Sequence, residues 1–154
     1  MGRITKEQRE KNFQQLNRVI LDIFLNEGWS KVTYDRISKE TGLRKSTLQG
    51  YYPTNSDFLL AVRDKLRRLM LDKLDFSSKK QLLISWNEAL AQPEFSHVVD
   101  MFISHCVSQA PAPIARKAMK NFHSMIEVSF PQDNSVEIMS QLFGRAVINP
   151  ILLN

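Results

Sequence analysis

The sequence predicts an all-α fold. Three observations carry this reading. Apolar residues recur at three- and four-residue steps along most of the chain, no run alternates cleanly as a half-buried strand would, and only five glycines and six prolines interrupt the periodic stretches. With 154 residues, 43% apolar and 24% charged, the chain fits one compact unit or a small head joined to a modest body.

Each element has its own signals. Thr5-Lys-Glu-Gln8 has capping-box spacing and starts a first helix at Lys6. Phe13, Leu16, Val19, Ile20, Ile23 and Phe24 form its buried stripe, and Gly28 closes it with a left-handed conformation. Thr33 caps a second helix, Tyr34 to Thr41, anchored by Ile37 and ended by Gly42. A third helix begins at Arg44 or Lys45 and runs to about Tyr52, where Pro53 stops it. Thr54-Asn-Ser-Asp57 opens a long fourth helix, about 55–74, with Phe58, Leu59, Val62, Leu66, Leu69 and Met70 inward. Ser78-Lys-Lys-Gln81 opens a helix to about Ala91, Pro93 one that ends at Ala110-Pro111, and Pro113 one that ends near Phe130-Pro131. Asn134 or Ser135 caps a last helix reaching Asn149-Pro150. No repeat or low-complexity linker separates these elements, so the fourth helix is expected to join a head, 1–54, rigidly to a body, 55–154.

Composition narrows the function classes. No stretch is long and apolar enough to span a bilayer, and the N-terminus lacks an apolar signal core. Gly2 is not followed by the small-residue pattern that N-myristoylation needs. A single cysteine, Cys106, excludes an internal disulfide, and the expected compartment is the cytoplasm. Residues 1–73 hold 15 Lys and Arg against 9 Asp and Glu, net +6, and residues 74–154 hold 6 against 7, net −1. That asymmetry points to a polyanion partner for the N-terminal part, or to a solvated basic surface.

Two short helices around a glycine turn, Tyr34–Thr41 and Arg44–Tyr52, make a helix-turn-helix pattern. The second is short enough to enter a major groove end-on, with Arg44, Lys45, Ser46 and Thr47 in reach of phosphates or base edges. Leu43, Leu48 and Tyr52 are expected to face inward. Arg44 and Lys45 stand at the positive end of a helix dipole, which costs about 0.3–1 kcal/mol each unless an anion meets them. Gly50 in mid-helix costs about 1 kcal/mol relative to Ala. It is either a tolerated weak position or a place where backbone approaches DNA.

Val19 to Val62 resembles the N-terminal domain of the TetR family of transcriptional regulators. The resemblance rests on Gly28-Trp29, Thr33, Ile37-Ser-Lys-Glu-Thr-Gly42-Leu43, Lys45-Ser-Thr47-Leu48, Tyr51-Tyr52-Pro53 and Phe58-Leu59-Leu60. It implies that Thr33, Lys45, Thr47 and Tyr51 touch double-stranded DNA, mostly its backbone, while Leu43, Leu48 and Tyr52 pack. Arg44 replaces a common Ser cap, Ser46 a common Gly and Gln49 a common Tyr. Gly50 stands where a bulkier residue is usual, and Asn55 where Lys often contacts phosphate. These departures fall on the DNA-reading face and imply an altered sequence preference. Arg44 and Gln49 are the candidate base readers, Arg for guanine and Gln for adenine.

The resemblance also implies a body that holds a small-molecule pocket and a dimer interface, with effector binding lowering DNA affinity. This body is short for the family. Trp86, Phe102, His105, Phe122 and Met125 are the candidate ligand-binding residues, in a segment whose Met and aromatic residues suit either an adaptable pocket or plain core. No pair among His97, His105, Cys106 and His123 has the i, i+4 spacing of helical metal ligands, and no nucleophile–base arrangement is present. No metal, cofactor or enzymatic activity is expected. Val136, Met139, Leu142, Phe143, Ala146 and Val147, with the tail Ile151-Leu-Leu, offer more apolar surface than so small a chain covers, so a two-fold homodimer built on the last two long helices is expected. The leading expectation is a repressor released from a palindromic operator by a small apolar effector. The alternative is an architectural or partner-controlled DNA-binding factor with the same head and no effector.

Overall fold

Short polar side chains set half of the helix starts. The computed structural model describes residues 3–110 and 112–153, so the readings at Gly2 and Pro111 lie outside it. Its helices are α1 (Lys6–Glu27), α2 (Tyr34–Thr41), α3 (Lys45–Tyr51), α4 (Ser56–Lys73), α5 (Lys79–Leu90), α6 (Pro93–Cys106), α7 (Pro113–Ser129) and α8 (Ser135–Leu152), with one 3₁₀ turn at Trp29–Lys31. The described residues contain no strand, and the fold is all-α. Ahead of α1, α2, α5 and α8, the capping oxygens of Thr5, Thr33, Ser78 and Asn134 accept the N–H of Gln8, Arg36, Gln81 and Glu137, each at 3.1 Å. Each bond satisfies one of the donors that a helix start leaves orphaned. Only this half of the two capping boxes forms; the Gln8 amide turns along the helix and donates to Asn12 instead.

Three ends differ from the expectation. Helix α6 stops at Cys106 rather than Ala110: the Ser108 N–H turns back to the His105 carbonyl at 3.3 Å, three residues rather than four, and the Ser108 hydroxyl accepts the Ala110 N–H at 3.3 Å. Helix α8 runs past Pro150 to Leu152, and the Leu153 N–H closes it on the Asn149 carbonyl at 2.9 Å. A proline in the last turn removes a single N–H, which the helix end tolerates. Gly28 has positive φ, 93°, but with ψ 166° it is not left-handed helical. This is an extended conformation essentially restricted to glycine, and it turns the chain sharply into Trp29–Lys31.

The chain divides into two compact units, Met1–Asp64 and Lys65–Asn154, with the boundary inside α4. In the first, α1 packs on the 3₁₀ turn and on α2, and α2 packs on α3. Leu16, Ile20, Ile23, Phe24, Val32, Ile37, Leu48, Tyr52, Phe58, Leu59 and Val62 form its core. In the second, α5 packs on α6 and α8, and α6, α7 and α8 pack on one another. Its core includes Leu82, Trp86, Phe95, Val98, Ile126, Ile138 and Leu142. No polar or charged side chain is buried among the described residues.

This division relocates the charge. The first unit carries 11 Lys and Arg against 8 Asp and Glu, and the second 10 against 8. The excess found before residue 73 is therefore split evenly: +3 lies in the first unit and +3 in the second half of α4, where Lys65, Arg67, Arg68 and Lys73 are exposed. Helix α8 is also not one apolar stripe. Ile138, Leu142 and Ala146 are buried, whereas Val136, Val147, Ile148, Ile151 and Leu152 are exposed. Val136 and Val147 are thus part of the apolar surface that the chain leaves uncovered. No helix of the described residues is long and apolar enough to cross a membrane.

Candidate functional site

The turn between α2 and α3 is held by its own short side chains. Gly42 caps α2 in the left-handed region, φ 73° and ψ 2°, and its N–H reaches the Ser38 carbonyl at 2.8 Å. The Ser38 hydroxyl donates to the Leu43 carbonyl at 2.6 Å. The Thr41 hydroxyl donates to the Ile37 carbonyl and accepts the Leu43 N–H. Ser38 and Thr41 are the residues that fix the angle between the two helices, and both sit in the stretch that carries the family resemblance. Their signal was a hydroxyl within reach of the turn's backbone. Leu43 does not pack inward as expected: with its backbone N–H and carbonyl both engaged by the α2 hydroxyls, its side chain points out and is exposed.

Helix α3 is therefore anchored by Leu48, with Tyr52 just beyond its end, and both are fully buried. The Tyr52 ring lies 5.5 Å from Phe13 and 5.2 Å from Phe58, and its hydroxyl donates to Asn17. Burial pushes the Tyr52 hydroxyl above the ordinary phenol range, with the neighbouring Tyr51 adding to the effect. The Tyr34 hydroxyl closes on the Tyr52 carbonyl. At the far side of α2, Arg36 makes a two-pronged ion pair with Glu27 (3.2 and 2.8 Å) and a further bond to Glu40 at 2.8 Å. The hydrogen bond from Arg36, then its charge, holds the Glu27 carboxyl below its usual value.

The candidate DNA residues fall on the opposite side of this anchoring. Arg44, Lys45, Ser46, Thr47, Gln49 and Gly50 are all exposed. Arg44 takes the N-cap position of α3 with extended backbone, φ −69° and ψ 148°, and makes no capping hydrogen bond. Among the described residues, the side chains of Arg44, Ser46, Thr47, Gln49 and Asn55 have no hydrogen-bond partner. The Lys45 ammonium lies 5.8 Å from the Tyr34 ring. Thr33 is exposed at the start of α2, its hydroxyl oxygen accepting the Arg36 N–H. Asn55 is exposed one residue before α4, where Thr54 rather than Asn55 pairs with Asp57 at 2.7 and 3.0 Å. A Cβ on Gly50 would meet nothing within 4 Å, so the chain's own packing does not require glycine there.

Tyr51 differs from its neighbours. It is half-buried, and its ring stacks on Phe13 at 6.4 Å. Its hydroxyl accepts a hydrogen bond from Asn12 at 3.2 Å. The Arg9 guanidinium sits 4.5 Å from its ring centroid and donates to the Gly50 carbonyl at 2.8 Å. Arg9 and Asn12 were not legible as functional residues, since they lie about 40 positions away on another helix.

In the second unit the candidate ligand residues divide. Trp86 on α5 is fully buried and stacks with Phe122 of α7 at 6.2 Å and 20°. Phe95 and Phe143 close edge-on against Trp86 at 5.2 and 5.3 Å, and Phe76 reaches Phe122 at 6.5 Å. The Trp86 indole N–H is buried, and no acceptor among the described residues pairs with it. Phe102 and Met125 are half-buried on α6 and α7, and Phe102 is outside the ring cluster. His105 is half-buried in the last turn of α6, and burial lowers its imidazole pKa. Phe95, Phe143 and Phe76 belong to the cluster although they are not among the candidate ligand residues.

Residues 63–149 match a family model described as the tetracycline repressor LuxT C-terminal domain. No curated protein matches the chain. The matched segment covers more than half of the sequence and follows directly on the N-terminal stretch, ending at Val62, that resembles TetR-type heads. The chain thus belongs to the tetracycline-repressor (TetR) family of transcriptional regulators.

Proposed function

We propose that this regulator is a homodimeric, sequence-specific DNA-binding protein, a repressor that holds a palindromic operator and is released from it by a small apolar effector. The DNA-binding part is the head, 1–54, and the surface is formed by Thr33, Arg44, Lys45, Ser46, Thr47, Gln49, Gly50 and Tyr51, with Asn55 beside it. One observation carries the reading: α3 is anchored on one side by Leu48 and Tyr52, while on its exposed side Arg44, Ser46, Thr47 and Gln49 have no hydrogen-bond partner among the described residues. An exposed row of polar and cationic side chains on a short anchored helix suits phosphates and base edges. Selection of bound sequences from a random DNA pool tests it. The expected outcome is a palindrome whose binding weakens with salt at a log–log slope of about −0.9 per phosphate contacted. A weak, salt-insensitive response would sink the reading.

The body, 55–154, supplies the dimer and the effector response. Exposed Val147, Ile148, Ile151 and Leu152 on α8 and Val128 on α7 support a two-fold interface between copies. Sedimentation showing a monomer at micromolar concentration would count against it. The Trp86 indole N–H, buried among rings with no acceptor among the described residues, supports an apolar effector that carries one hydrogen-bond acceptor. The close approach of Phe95, Phe122 and Phe143 to Trp86 favours a second reading, an effector-less or partner-controlled factor with the same head. Thermal-shift screening of apolar compounds, with operator release as the second readout, separates the two.

A further inference from the structure

Arg9 stands near the start of α1, inside the head but outside the residues assigned above to the DNA surface. Three features distinguish it. Its guanidinium is fixed by the hydrogen bond to the Gly50 carbonyl at 2.8 Å and by the Tyr51 ring at 4.5 Å, although the residue is exposed. No carboxylate among the described residues pairs with it, so its charge is uncompensated. Beside it, the Tyr51 hydroxyl already accepts from Asn12 at 3.2 Å, which leaves its own proton to be donated elsewhere. Two orientated donors therefore lie side by side at the end of α3, next to a glycine whose missing side chain leaves open space.

We propose that Arg9, together with the Tyr51 hydroxyl, binds a DNA backbone phosphate, extending the interface from α3 onto α1. The inference rests on the DNA-binding reading above. The length of α3 places this pair suitably. Its seven residues span about 10 Å, against a major groove about 12 Å wide. A helix whose first turn lies among the base edges has its last turn at the groove's rim, where the phosphates run. A helix end normally repels anions there, because its carbonyls point outward. Arg9 covers one of those carbonyls and reverses the local sign. Its planar fork also suits phosphate better than a point charge does.

The test compares wild-type protein with Arg9→Gln and Arg9→Lys on two duplexes of equal length, one carrying the pool-selected sequence and one a shuffled sequence, across salt concentrations. Gln keeps an amide donor for the Gly50 carbonyl but has no charge, and Lys keeps the charge. Far-UV circular dichroism melts of each variant report folding separately. Because a bound dimer carries two copies of Arg9, Arg9→Gln is expected to weaken both duplexes by the same factor, about thirtyfold near 0.15 M salt, and to make the slope shallower by about 1.8, whereas Arg9→Lys keeps the wild-type slope. If Arg9→Gln binds with the wild-type slope, the phosphate contact is wrong, whether or not affinity falls. If wild-type protein itself shows no salt dependence, the DNA-binding reading fails and takes this contact with it.

Discussion

The two compact units solve the same packing problem and leave different things unsolved. In Met1–Asp64, the apolar residues of α1, α2 and α3 are largely consumed by one core, and what remains outside on α3 is polar or cationic. In Lys65–Asn154, the core is just as closed around Trp86, but α8 carries uncovered Val147, Ile148, Ile151 and Leu152. Unused hydrogen-bonding groups call for a polar partner with a fixed geometry, and unused apolar area calls for removal from water. On the proposed reading, DNA recognition and self-association fall in separate units, so each can be damaged without the other.

The largest effect is expected in the C-terminal core. Trp86→Ala removes a fully buried ring from the contacts with Phe95, Phe122 and Phe143 and should cost roughly 3–5 kcal/mol. Urea unfolding would show it as a fall in midpoint. A change below about 1 kcal/mol would mean that the cluster is not close-packed. Next, Ile148→Asp or Ile151→Asp on α8 should leave the fold intact and weaken self-association by about 2 kcal/mol, about thirtyfold in the dissociation constant. Sedimentation equilibrium reads this directly, and an unchanged assembly would move the interface elsewhere.

Gly50→Ala should separate stability from recognition. With open space around the new Cβ, the head should gain up to about 1 kcal/mol of stability, while DNA affinity falls if backbone lies close to the duplex. Equal binding by both proteins would leave Gly50 as a weak helical position only.

The smallest effects concern acid. Burial pushes the His105 imidazole below its ordinary value, so the unfolded chain binds that proton more readily. The stabilisation is complete above about pH 6.5 and is lost as pH falls below it. Asp100, whose carboxyl is raised by burial, works in the opposite direction at lower pH. Glu27 in the head is held low by Arg36, so its contribution persists until pH falls through the lowered carboxylate value. In a Trp29→Phe chain, Trp86 emission should therefore report softening of the C-terminal unit at a higher pH than Glu27→Gln affects the head. A urea midpoint for Trp86 that stays flat down to the carboxylate range would overturn the assignment to His105.

Much of the fold was legible because helix starts follow a local rule. Thr5, Thr33, Ser78 and Asn134 each meet the N–H three residues ahead, and the chain's own spacing dictates that contact whatever the rest of the molecule does. The same holds for Gly42, whose left-handed cap ends α2 where its position implied. Local rules failed where two competed: Pro150 weakens a helix by one bond without stopping it, and Leu43 had an apolar side chain in a turn whose backbone was already engaged. Sequence by itself thus determined the helices, their caps, the glycine turn and the polar row on α3, all of which depend on contacts within a few residues. Only tertiary structure decided which face of α8 is left uncovered, that half of the charge excess falls in the second unit, and that Arg9 and Asn12 stand against Tyr51. Those outcomes depend on how helices distant in sequence cross, and periodicity along one helix carries no information about where another will lie.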